Sequence, residues 1–352
     1  MSITKKYFDT TKDGKKVTEY TLTNAIGASV SIIDFGGTVT NIVVPDKDGK
    51  LADVNLGFDN VDTYDNKGGS MGAVIGRVGN RIAGASFELD GETYTLGKND
   101  GENNLHGGPN GFNVCMFKAK TIKEKGKDTL RLSLTSPDGD QGFPGKLNLV
   151  VDYSWNDDCE LGIHYLALTD KTTLCNLTNH AYFNLDGHDA GDVKDLTLQI
   201  FADSITAAGP GLIPTGKLIP QTEVVYNFTE DTRLGDVLDK TESDPAMAAA
   251  GGVDFNYAAG RDKEHKLIAT LRSPKTGRRM DVYTDQPGVQ CYTGQGLNHT
   301  GKGGVHYGKY AGVCLETQHY PDAIHQPHFE SYVLRPQDTY DTYTIYKFSV
   351  EA

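Results

Sequence analysis

Long apolar runs are missing from this chain of 352 residues. None approaches the roughly 20 residues that a membrane-spanning helix needs. The opening stretch, MSITKKYFDTTKDGKK, has no apolar core long enough for a secretory signal. Positive charge is also short, with 34 Lys and Arg against 47 Asp and Glu, a formal net charge of −13. Such a surface repels nucleic acid and anionic membranes, so neither is an expected partner. Cysteine is sparse: five residues, at 115, 159, 175, 291 and 314, with no C-x-x-C pair. An odd, scattered set argues against a disulfide framework and reads as reduced core thiols. These absences together point to a cytoplasmic protein that handles neutral small molecules.

Helical periodicity is scarce too. The one good candidate is DTRLGDVLDK, residues 231–240, with Leu234, Val237 and Leu238 at helical spacing. No βαβ rhythm appears, which disfavours a parallel nucleotide-binding sheet. What the chain has instead is period-two alternation and 41 glycines. TLRLSLTS sets Leu130, Leu132 and Leu134 on one face. KLNLVVDYSW does so with Leu147, Leu149, Val151, Tyr153 and Trp155, and ELGIHYLALT with Leu161, Ile163, Tyr165 and Ala167. Further strand candidates are SVSIIDF, TNIVV, DLTLQIFA, KLIATLRS, RRMDVYT, VQCYTG and YTIYKFSV, separated by turn signals such as PDKDG and SPKTG. There is no linker, repeat or low-complexity tract. The pattern predicts one all-β domain over residues 1–352, a large, mostly antiparallel β-sandwich with long functional loops.

Histidines crowd one stretch, CLETQHYPDAIHQPHF, which holds Glu316, His319, His325 and His328. Imidazoles near a carboxylate raise the question of zinc. The spacing H-x5-H-x2-H fits no common site, and Pro321 and Pro327 prevent a helix from aligning the rings. In AGVCLETQ, Val313, Leu315 and Thr317 share one strand face, and Cys314, Glu316 and Gln318 share the other. A carboxylate within a strand usually faces solvent. One flanked by Cys and Gln on its own face points to a lined cavity. Three other stretches concentrate polar groups: Asn80 and Arg81 after a glycine, His106 in GENNLHGGPNGF, and His180 near Asn179 and Tyr182 in TNHAYFNLDGH. Each alone reads equally well as a surface turn or an idle loop histidine.

Taken in order, NRIAGASFELDGETYTL, NLHGG, NHAYFNL, GGVDFNY, PGVQCYTG and CLETQHYPDAIHQP resemble the motifs of the aldose 1-epimerase (galactose mutarotase) family. The resemblance covers roughly residues 20 to 350. It implies a β-sandwich, in agreement with the alternation. It further implies that Glu316 is the general base and His180 the general acid. Asn80, Arg81, His106, Asp254 and Gln290 then hold the sugar, with Tyr182 beside the acid. One departure is Phe255 after Asp254, where family members often carry His or Asn. That implies a lost polar contact and an altered hydroxyl specificity.

Exchange of anomers needs one group to take the C1 hydroxyl proton and another to protonate the ring oxygen, O5. Both oxygens sit on one carbon, so acid and base must flank one small locus at about 2.6–3.2 Å from their oxygens. Rotation about C1–C2 then lets the ring close on the other carbonyl face. A carboxylate ionised at neutral pH suits the base, and an imidazole near its ordinary pKa suits the acid. No cofactor and no metal are called for. The expected partner is a small sugar, with the chain a monomer or homodimer. Alternatives are an epimerase of a disaccharide reducing end such as maltose, a hexose-phosphate epimerase, a glycoside hydrolase and a non-catalytic sugar-binding sandwich. The hydrolase wants two carboxylates, and the phosphate enzyme wants more cations than Arg81.

Overall fold

Alternating strands dominate the computed structural model, which describes residues 2–66, 70–124, 126–261 and 264–351. The strand Leu147–Trp155 buries Leu147, Leu149, Val151, Tyr153 and Trp155, and Glu160–Thr169 buries Leu161, Ile163, Tyr165 and Ala167. Both lie in a nine-stranded sheet. The C-terminal strand Tyr340–Val350 pairs there with Glu160–Thr169 on one side and Arg278–Thr284 on the other. A five-stranded sheet runs in chain order from Ser2–Thr10 to Leu51–Asp53. Another five-stranded sheet has the order Pro214–Pro220, Ser204–Ala208, Asp254–Ala258, Gly288–Tyr292 and Cys314–Gln318. The ladders in these three sheets are antiparallel. The fold is a large, mostly antiparallel β-sandwich.

Hydrophobic burial holds the layers together. One cluster joins Val30, Ile32 and Ile42 of the first sheet with Val151, Trp155, Ile163 and Phe348 of the nine-stranded sheet. Tyr257, Val289 and Leu315 of the third sheet belong to it as well. Truncating a buried aromatic of this kind to alanine costs about 3–5 kcal/mol. The polar tips of the core aromatics tie one layer to the next. Tyr153 donates to the Gly37 carbonyl at 2.6 Å, Trp155 to that of Ala28 at 3.1 Å, and Tyr346 to that of Leu315 at 2.9 Å. The last of these bonds anchors the backbone next to Glu316.

The α-helices, among the described residues, are limited to Val61–Asn66, Leu234–Leu238 and Pro245–Ala250. None is long and apolar enough to cross a membrane. The helix expected over 231–240 is shorter than its periodicity suggests, because Thr232 and Arg233 pair with Leu198 and Thr197 at the sheet edge. Leu234, Val237 and Leu238 are buried as expected. The five cysteines are unpaired, and four of them are buried.

Candidate active site

Three neighbouring strands present one polar face. Gln290 lies directly opposite Glu316, and Asp254 lies opposite Tyr292. Because side chains alternate along a strand, these four share the same side of the sheet. Gln290 Nε2 donates to Asp254 Oδ1 at 2.6 Å. The strand carrying Glu316 has no solvent face. Leu315 and Thr317 pack inward on one side, while Cys314, Glu316 and Gln318 are covered on the other.

Two loop regions complete the enclosure. Phe183 and Val313 exchange backbone hydrogen bonds of 2.8 and 2.9 Å, which seats the segment before Phe183 against the Glu316 strand. His180, held through its backbone by Gly72 and Ala73, then stands with Nε2 3.6 Å from Glu316 Oε1. Its ring stacks on Tyr182 at 5.0 Å. On the opposite side, His106 and Asn80 hold each other. The His106 amide donates to the Asn80 carbonyl at 3.0 Å, and the Asn80 amide donates to His106 Nδ1 at 3.1 Å. Both residues adopt left-handed backbone, φ 55° and 63°. Gly107 lets the two loops touch, since a Cβ there would sit 2.1 Å from the Gly76 carbonyl oxygen. Beneath them the buried Arg77 guanidinium donates to Ser136, Thr173 and the carbonyls of Pro144 and Gly145, which fixes the turn that delivers Asn80.

The result is a cavity of about 250 Å³ lined by all eight residues singled out in the sequence: Asn80, Arg81, His106, His180, Tyr182, Asp254, Gln290 and Glu316. Leu105, Tyr292, Gly296, Leu297 and His299 also line it and were not foreseen. Tyr292 was within reach, being two positions from Gln290 on a strand. Leu297 and His299 come from a glycine-rich stretch that carries no such signal. This wall is held by the buried Lys302, whose ammonium binds Asp53 and the carbonyls of Thr40 and Asn55.

The expectation for Phe255 is corrected. It points to the opposite side of its strand from Asp254, is 2% exposed and stacks on Tyr226 at 4.0 Å. It is a core residue and does not line the cavity. The tail histidines do not converge. His319 faces Glu330, His325 bonds Asp322, and His328 reaches the Gly216 carbonyl.

Burial also works against the expected charge states. Desolvation pushes the His180 pKa down to about 4 and pushes that of Glu316 well above the usual carboxylate range, with the Asp254 charge adding to the latter. In the sugar-free cavity burial therefore favours the neutral imidazole and opposes ionisation of the carboxyl. His106 is likewise held neutral by enclosure and by the neighbouring His180 and Arg81. Asp254 is raised by burial, partly offset by Arg81 at 3.9 Å. Arg81 also binds Asp100 at 2.7 Å. Among the described residues, Glu316 Oε2 and Gln290 Oε1 have no hydrogen-bond partner, which leaves acceptors for ligand hydroxyls.

Ligand-type atoms of His106, His180 and Glu316 lie within 4.8 Å of one another, so a cation site has to be tested. His106 does not suit one. Its Nδ1 accepts from Asn80, so the neutral ring carries its proton on Nε2 and has no lone pair free there. That nitrogen is a hydrogen-bond donor, which fits a sugar oxygen.

The model of the aldose 1-epimerase family matches residues 18–347. Galactose mutarotase of Bos taurus is 40% identical over 323 residues, 91% of each chain. Aldose 1-epimerase of Escherichia coli is 34% identical over 345 residues, 96% of this chain and 97% of that one. The crystal structure of galactose 1-epimerase from Lactobacillus acidophilus superposes with a TM-score of 0.86 at 26% identity, over 100% of this chain and 99% of that one. The chain belongs to the aldose 1-epimerase family, isomerases that interconvert the anomers of free sugars.

Proposed function

We propose that Glu316 and His180 act as one acid–base pair on a free aldohexose such as galactose or glucose. The observation that carries this reading is the 3.6 Å approach of His180 Nε2 to Glu316 Oε1 inside a polar, sugar-sized cavity. Ring opening starts from the ion pair. Glu316 takes the C1 hydroxyl proton, His180 gives its Nε2 proton to O5, and the C1–O5 bond breaks to leave an aldehyde. The pair is then neutral, with the carboxyl protonated. Rotation about C1–C2 follows, and the neutral pair closes the ring by the reverse transfers.

Both forms of the pair hold the same single proton. Burial disfavours the charged form, so a protonated His180 is a strong donor toward O5. Asn80, Arg81, His106, Asp254 and Gln290 bind and orient the ring hydroxyls, with His106 and Arg81 assisting the oxygen that gains charge. Tyr182 covers the apolar C–H face. The cavity of about 250 Å³ has room for one pyranose ring. This reading includes one domain over 1–352, supported by a buried cluster that runs from Leu22 to Phe348. It also includes a reducing, cytoplasmic setting, supported by the unpaired thiols, and action as a monomer or homodimer.

Polarimetry of freshly dissolved α-galactose, α-glucose and maltose across pH tests this reading. The hexoses should equilibrate faster than maltose, and kcat/KM should be bell-shaped. The apparent values belong to the pair. Activity needs exactly one shared proton, so it should fall on the acid side as His180 takes a second proton near pH 4. On the alkaline side it falls when the carboxyl loses its proton. An acid limb at the ordinary imidazole value near 6.5 contradicts this assignment.

A further inference from the structure

His180 is gripped at both ring nitrogens by residues of one strand. Glu316 faces Nε2, and two positions earlier Cys314 places Sγ 3.5 Å from Nδ1. Cys314 is fully buried and is not part of the cavity lining, so it reaches the sugar site through lining residues, His180 among them. Tyr182, two residues on from His180, stacks on its ring. A thiol accepts and donates only weakly, so nothing on this side stabilises an imidazolium in the way a carboxylate would.

We propose that Cys314 is a positioning residue whose sulfur accepts from Nδ1–H of His180, which keeps the exchangeable proton on Nε2. The proposal rests on the reading of Glu316 and His180 as the acid–base pair. Proton exchange with O5 through Nε2 requires Nδ1 to keep its hydrogen throughout both half-reactions. If Nδ1 lost it, the resting neutral ring would carry its proton on Nε2 and could not accept from the Glu316 carboxyl. Burial holds the thiol well above its usual pKa, so the acceptor stays neutral near physiological pH. A neutral, soft acceptor fixes the tautomer without raising the basicity of the ring. The other groups around the ring are His106, edge-on at 5.2 Å, Tyr292 at 6.3 Å, and Glu316. None of these three bonds Nδ1.

Nitrogen-15 NMR of ring-labelled histidines tests the tautomer, with His180 assigned by loss of its signals in His180→Asn. The wild type should show Nδ1 protonated and Nε2 bare at neutral pH. Cys314→Ala should give a mixture of tautomers and lower kcat about tenfold with KM unchanged, the low end for losing a partner on a histidine's second nitrogen. Cys314→Ser, which restores an acceptor, should return both readouts toward wild type. An Nε2–H tautomer in the wild type, or an unchanged tautomer and kcat in Cys314→Ala, overturns the proposal. Failure of the acid–base reading shows elsewhere, as retained turnover in Glu316→Gln. The two failures are therefore distinguishable.

Discussion

Glu316→Gln should lower the mutarotation rate by about 10²–10⁴-fold, the usual contribution of a general acid–base group. Glutamine preserves the size of the side chain and its place opposite Gln290, so the fold should hold. What it loses is the ability to take and return a proton. Galactose affinity, measured by calorimetry, should change far less, because Asn80, Arg81, His106, Asp254 and Gln290 still line the cavity. A variant that keeps more than roughly a tenth of wild-type turnover, against that expected range, removes Glu316 from the base role. A loss of affinity as large as the loss of rate assigns it to binding instead.

Methyl galactoside should bind and show no interconversion of its anomers. Ring opening requires a proton on the C1 oxygen, and the methyl group replaces it. The cavity brings His180 and Glu316 together, while Asp254, the other carboxylate in the lining, is held by Gln290 and lies near Arg81. Retaining and inverting hydrolysis both need two carboxyl groups flanking the bond. Chromatography of the methyl glycoside after long incubation should therefore return it unchanged. Release of methanol or a change of anomer favours a glycosidase.

The fold was legible where strands are buried on one face. Leu147 to Trp155 and Leu161 to Ala167 alternate in the sequence because they alternate between core and exterior in the sheet. Ser2–Thr10 gave no such pattern, since none of its residues is buried, and in Lys16–Thr23 the polar Glu19 is buried along with Val17 and Leu22. The short helix Pro245–Ala250 escaped because six residues are too few to show periodicity. Its ends were nonetheless marked: Asp244 caps the amides of Ala246 and Met247, Pro245 occupies the first turn, and Gly251 ends it at φ 76°.

Within the site, the polar lining could be read residue by residue from motif order. The charge states could not. Glu316 and His180 look like an ordinary ionised carboxylate and an ordinary imidazole until burial is known, and burial comes from segments far apart in the chain. The same limit applies to Phe255, whose neighbour Asp254 suggested a place in the cavity, whereas strand alternation turns its ring into the core.

The central claim is that Glu316 and His180 work as a unit sharing one proton. A double-mutant cycle on the mutarotation rate of galactose tests it most directly, using Glu316→Gln, His180→Asn and the double variant. Groups that act as a unit are strongly non-additive. The expected result is two singles of similar, severe loss and a double variant little slower than either. Losses that multiply in the double variant mean that the two residues act independently, and contradict the shared-proton pair.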